Sequence, residues 1–336
     1  MTKTIGLISA NYLPEENMEI VETRALAALP FGGRYRLIDF PLSNFMNSGI
    51  QSVGLIMPFN NRSLIDHVGT GKAWGFGRKS HSLFLLPGKA YGRRDENSKF
   101  LLRDLITNSR FLEYENEAFV LMCGSNNIFS MDFRPLIAAH EKSAAKITRV
   151  YKKNKFLDCF IMDLSFIMDI IKWFSNFDYM DINEIIDRFL PETEVGHYEF
   201  DGYFCSINSL ADYFKANMDL LKEEVQEALF ESAGDICTNI QDRCPTYFAP
   251  SAKVKNSVVA AGCTIEGTVE NSIIFRSSNI KKGAVVKNSV LLQHAEIGEK
   301  AKLKYFVCDK RVLVKPGVVI EGSRENPCFA KKGTVI

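Results

Sequence analysis

PFGGRYRLIDFPLSNFMNSGI, residues Pro30 to Ile50, reads as a Gly-rich turn, a short apolar strand ending in Asp39 and a helix begun at Pro41 to Asn44. Gly32 and Gly33 can take φ > 0 and let the backbone approach a ligand or a neighbouring segment closely. Arg34, Tyr35 and Arg36 follow at once, so an anion could be met there. Outward from this block, apolar runs bounded by turn residues recur at Thr4 to Ala10, Ser52 to Met57, Ala118 to Gly124 and Ile147 to Tyr151. Helical patterns lie between them, at Ser63 to Val68 and Leu136 to Ala145. The alternation predicts βαβ units around a mostly parallel sheet buried on both faces, with ligands at the carboxyl ends of its strands. The places to inspect are Asn11 to Glu22 and Gly124 to Asp132.

From about Pro245 the texture changes. Ile274, Ile280, Val286 and Leu292 stand six apart; the phase then slips by one and resumes at Ile297 and Leu303, with Val314 and Ile320 again six apart. Hexapeptide periodicity with glycines between the steps predicts a parallel β-helix, in which each short face stacks on the coil below. Two domains follow, 1–235 and 246–336, with Ala211 to Ala233 as a helical connector and Asp235 to Pro245 as the linker.

The 336 residues are 46% hydrophobic and 24% charged with a formal net charge of +1, so no global field recruits nucleic acid or acidic lipid and any anion site must be a local cluster. The N-terminus has no signal-peptide pattern and no apolar run reaches membrane-spanning length, so a cytoplasmic location is expected. Eight cysteines without a CxxC pair fit free thiols rather than zinc or disulfides.

The Pro30 to Ile50 block resembles, nearly residue for residue, the FGG-K/R-Y/F-R-IIDF-LSN-NSGI block of the ADP-glucose pyrophosphorylases. That resemblance implies a GT-A/Rossmann-like nucleotidyltransferase domain followed by a left-handed β-helix. Such enzymes join a sugar phosphate to the α-phosphorus of a nucleoside triphosphate, and catalysis there is positioning plus neutralisation of charge by Mg²⁺ and cations. Active members carry GGxGTRL after the first strand, RAKP, SGDH and DVGT. Here the first segment is Ile8-Ser9-Ala10-Asn11-Tyr12-Leu13-Pro14-Glu15-Glu16, without glycine and with two acids where a triphosphate would sit. Leu26 replaces the lysine of RAKP, Asn126 the carboxylate of SGDH and Ser206 the carboxylate of DVGT. A unit-charge pair at 4 Å in an effective dielectric near 20 is worth about 4 kcal/mol, and each ~1.4 kcal/mol of transition-state stabilisation is tenfold in rate. The four losses together imply many decades.

The pattern looks like the non-catalytic, D-type regulatory subunit of bacterial ADP-glucose pyrophosphorylase, which accompanies a catalytic subunit in glycogen synthesis. No catalytic residue and no metal is then expected in this chain, with Mg²⁺ only in the catalytic partner, and a hetero- or homo-tetramer is implied. An apolar β-helix face and the Pro30 to Ile50 block are expected to make the subunit contacts. In the catalytic relatives, cations at the positions of Arg24 and Arg36 join basic residues of the β-helix to receive phosphorylated effectors. The expected effector set here is Arg24, Arg34, Arg36, Lys302, Lys304 and Arg311. A second reading keeps an active sugar-phosphate nucleotidyltransferase with relocated metal ligands, Asp39 and Asp132, although both suit helix caps. His67 and His140 read as packing or surface residues. His294 lies where hexapeptide acyltransferases use a base, but so short a β-helix makes acyl transfer a minor alternative. Between Lys153 and Phe156 the chain lacks room for the loop and strand that precede the family's sugar-binding hairpin, and residues missing at that junction are the expected cause.

Overall fold

The structure, a computed structural model, describes residues 3–16, 18–77, 81–88, 98–114 and 118–336. Seven strands build the N-terminal sheet: β1 (Thr4–Ser9), β2 (Ser52–Met57), β3 (Ser82–Pro87), β4 (Phe119–Gly124), β5 (Ile147–Lys152), β6 (Lys155–Asp163) and β7 (Val195–Glu199). They lie in the order β7-β5-β6-β4-β1-β2-β3. Ile8 of β1 sits between Leu55 and Cys123 in parallel register, and only β6 runs against its neighbours. Separate apolar clusters cover the two faces, which is why the central strands read as unbroken apolar runs.

The Pro30 to Ile50 block folds differently from its sequence reading. Pro30–Phe31 and Tyr35–Arg36 pair as a small antiparallel hairpin around Gly32 (φ 58°) and Gly33 (φ 83°). Asp39 does not end a strand; it opens helix α1 (Asp39–Asn47). Its Oδ2 accepts the Arg36 backbone N–H at 2.9 Å, which turns the chain into the helix two residues earlier than expected. Helices α2 (Arg62–Val68) and α3 (Arg134–Lys142) follow the expected amphipathic stretches. The short junction after Lys152 hides no missing residues. Lys153 (φ 47°) and Asn154 (φ 66°) form a two-residue turn that pairs Lys152 with Lys155, the geometry that suits the twist of a tight hairpin.

The helical connector is two helices, α4 (Leu210–Asp219), opened by a Ser209–Asp212 capping box, and α5 (Glu223–Phe230). From Tyr247 the chain winds through three parallel five-stranded sheets, the left-handed β-helix. Ile265, Ile280, Ile297 and Val314 stack in one interior column, as do Val269, Val286, Leu303 and Ile320. The phase slip falls one residue earlier than the spacing suggested: Leu291, not Leu292, stacks between Ile274 and Cys308. Leu292 instead joins Ile273, Phe275, Val290 and Val307 on the outer side of that sheet, in one cluster with Phe31, Phe40, Tyr213 and Phe214. This apolar β-helix face is therefore covered by the chain's own α4 and Gly-rich hairpin, while Tyr247, Phe248, Leu313 and Val319 stay exposed elsewhere on the β-helix. Most of the Pro30 to Ile50 block is spent the same way, with Phe31, Leu37, Ile38, Phe40, Leu42 and Phe45 all buried.

Candidate functional site: a silent nucleotide cradle and a cationic junction

The loop after β1 and the segment after β4 meet at the carboxyl edge of the sheet. There the Tyr12 hydroxyl donates to Asn126 Oδ1 at 2.9 Å and lies 3.1 Å from Ser125 Oγ. Asn126 Nδ2 donates to Ser206 Oγ (3.0 Å) and Asn208 Oδ1 (2.9 Å), so the carboxamide is saturated by neutral partners. The two degenerate positions touch because Asn127 and Ser206 pair in a short antiparallel bridge. Tyr12 is buried, which drives its phenol pKa up, and the Lys99 ammonium lies 6.0 Å from its ring centre. Mg²⁺ does not fit: Asn126 and Ser206 supply no charge and Asn126 Oδ1 is already taken. Leu26 is buried in the same apolar cluster as Tyr12. The neighbouring cavity of about 360 Å³ is lined by Leu13, Glu15, Glu16 and Glu22, with no cation among its described lining residues.

Both candidate relocated ligands already have partners. The Asp39 carboxylate is fully buried and occupied by the Arg36 N–H and by His67 Nε2 at 2.5 Å, so it is an interior strut rather than a cap or a metal ligand. Asp132 takes the first backbone N–H of α3, from Arg134, and the Arg134 guanidinium. His67 stacks edge-on against Trp74, and His140 is buried against Thr148 Oγ1 at 2.8 Å.

The six expected effector cations are split by the fold. Arg24 is buried and makes a two-pronged contact with Asp309 of the β-helix at 2.7 and 2.8 Å, leaving Nη1 without a partner. Arg36 donates to Ser63 O and Oγ; burial, with Arg276 and Arg24 nearby, lowers its pKa to about 10 against the pull of Asp39. Arg34 lines a cavity of about 260 Å³ with Arg243 and Arg276, and the buried Thr238 Oγ1 beside it has no partner. Arg311 occupies a β-helix corner at φ 60° next to Lys310. Lys302 and Lys304 stand apart, on the outward side of another sheet, where Lys304 pairs with Glu321 at 2.7 Å.

Sequence reading missed the β-helix cations that do reach the junction. Arg276, Gln293 and Lys310 lie on successive coils at one corner, tied by bonds from His294 N to Arg276 O and from Arg311 N to Gln293 O. Burial, then Arg36 and Arg24, lowers the Lys310 pKa to about 8. Gln293 is buried with Oε1 unpartnered. Cations two coils apart at one corner were the signal that would have found them. Where the hairpin meets this corner, the molecule holds cations in excess, and Arg24 Nη1 and the Thr238 hydroxyl are donors without a partner, an arrangement suited to an anion.

The fold is a mostly parallel α/β domain of the nucleotidyl transferase kind followed by a left-handed β-helix. A nucleotidyl transferase profile matches residues 19–155 and a GlmU-like C-terminal hexapeptide profile matches residues 248–328. The glycogen biosynthesis protein GlgD of Bacillus subtilis (strain 168) is 31% identical over 98% of this chain and 96% of its own length. GlgD of Geobacillus stearothermophilus is 35% identical over 99% and 97%. The chain belongs to this GlgD family. The glucose-1-phosphate adenylyltransferase of Clostridium perfringens (strain SM101 / Type A) is more distant, 26% identical over 354 aligned positions covering 94% of this chain and 91% of the enzyme. That alignment is longer than the chain itself, so the enzyme carries segments that this chain lacks, consistent with the tight β5–β6 turn.

Proposed function

We propose that the chain is a cytoplasmic, catalytically degenerate subunit that acts in glycogen biosynthesis by modulating a catalytic glucose-1-phosphate adenylyltransferase subunit within a tetramer. The observation that carries the reading is the Tyr12–Asn126–Ser206 network, which fills the metal position with neutral, mutually satisfied groups. A subunit that cannot do the chemistry influences a partner only through contacts that differ between the partner's states. The junction cations Arg24, Arg36, Arg276 and Lys310 are assigned to a phosphorylated effector, with Arg34 and Arg311 at its margins. No effector role is kept for Lys302 and Lys304.

The test is a titration of the catalytic subunit, making ADP-glucose from ATP and glucose 1-phosphate, with wild-type and Arg36→Ala protein at low and high effector. The wild-type chain alone is expected to give no product above background and to change the partner's rate or substrate affinity on mixing. Arg36→Ala is expected to assemble but to lose effector response. Curves indistinguishable from the catalytic subunit alone would overturn the regulatory reading, and turnover by the isolated chain would restore the enzymatic one.

A further inference from the structure

A second cavity, of about 260 Å³, lies away from both sites, along the seam between α4 and one corner of the β-helix. Its β-helix wall is a column of residues on successive coils, Asn256, Asn271, Asn288 and Tyr305, each in the left-handed conformation at φ 43–51°. Asparagine tolerates that conformation, but the backbone alone does not account for the column. The other corners hold Ser277, His294, Lys300 and Arg311 in the same conformation. Of these left-handed corners, this is the one whose successive residues are carboxamides, and they line the cavity.

Each carboxamide offers a donor and an acceptor side by side, and Asn256 Nδ2 to Asn271 Oδ1 at 2.8 Å is the one side-chain bond recorded along the column. Parallel coils repeat at roughly 4.8 Å, so the amides form a regular ladder. The α4 wall supplies Asp219, held by Lys222 at 2.6 Å and approached by Lys215 at 3.9 Å. Phe214 and Tyr305, packed edge-to-face at 6.2 Å, give the apolar ground. Evenly spaced amides, a neutralised carboxylate and aromatic rings are the chemistry that reads the paired hydroxyls and C–H faces of a sugar chain. Lys215 and Lys222 are engaged by Asp219, and the exposed Arg324 is the remaining cation of the described lining. We propose that this seam binds a neutral linear oligosaccharide along the amide ladder. That the chain is an α-linked glucan rests on the glycogen reading above; the site itself rests on its own geometry.

The experiment is calorimetric titration of the full-length protein with maltoheptaose and, separately, gel retardation in glycogen. Asn271→Gly/Asn288→Gly removes both carboxamides while glycine keeps the left-handed corners, so the fold is retained and checked by thermal melting. Saturable maltoheptaose binding by the wild type, weakened at least tenfold in the double variant and unchanged in Arg36→Ala, is the expected result. Retardation by glycogen as well would mark the polymer as the occupant, and retention of maltoheptaose alone would mark free oligosaccharide. Absence of saturable binding, or equal binding by the glycine variant, overturns the proposal. Because Arg36→Ala reports on the effector reading and the glycine pair on the seam, either idea fails without the other.

Discussion

At the scale of single residues, the silent cradle is defined by what its side chains already bond. Restoring Asn126→Asp and Ser206→Asp together would put two carboxylates into a site buried under Tyr12, with no lysine at Leu26 to offset them. Unpaired buried charge costs about 3–5 kcal/mol, so the double variant is expected to unfold at markedly lower denaturant and still make no ADP-glucose; chemical denaturation and a product assay check both. Lys310 gives a pH signature. Its folded pKa of about 8 lies below its ordinary 10.5, so the folded state holds fewer protons than the unfolded one between those values. The group's contribution to stability therefore rises with pH across that window. A bound anion favours the ammonium, so phosphate binding should take up protons above pH 8 and weaken as pH rises through about 8. Titration in buffers of different ionisation enthalpy measures this, and Lys310→Met should flatten the dependence.

At the scale of elements, the Gly-rich hairpin shows how a turn becomes an obligate contact. A Cβ on Gly32 would lie 2.6 Å from Leu220 Cδ2 and would also have to adopt φ +58°. Gly49 has φ +75° but no atom within 4 Å of the same position. Gly49→Ala should therefore cost only the left-handed penalty of about 1–2 kcal/mol, and Gly32→Ala clearly more, because the hairpin must also back away from the end of α4. Thermal melts of the two variants side by side separate strain from collision; equal losses would show that Leu220 yields freely.

At the scale of the whole molecule, the two domains are locked by a buried ion pair and a shared apolar cluster. Arg24 and Asp309 are each about 4% exposed. Arg24→Ala would leave Asp309 buried without its partner, at an expected cost of about 3–5 kcal/mol, while Arg24→Met with Asp309→Leu should recover most of the loss. Unfolding followed separately by tyrosine and tryptophan fluorescence and by circular dichroism should remain a single transition in the wild type. It should split in Arg24→Ala if the pair couples the domains, and a single unshifted transition would show that the apolar cluster suffices. Such coupling gives an anion at the junction a physical route to both domains.

The sequence by itself determined the alternation of strands and helices, the β-helix and the loss of charge at Leu26, Asn126 and Ser206. Those features rest on local periodicity and residue type, which are legible along the chain. Tertiary structure alone decided that Tyr12 closes the cradle, that Asp39 is a strut for His67, and that the β-helix's outer apolar face is covered from within. It also decided which cations meet. Arg24 and Lys310 are far apart in sequence and face one another only because the β-helix corner docks on the hairpin, whereas Lys302 and Lys304, close to Lys310 in sequence, point away on another sheet. Winding a short coil changes a side chain's direction every few residues, so nearness along the chain carried no information about which side of the helix a charge would occupy.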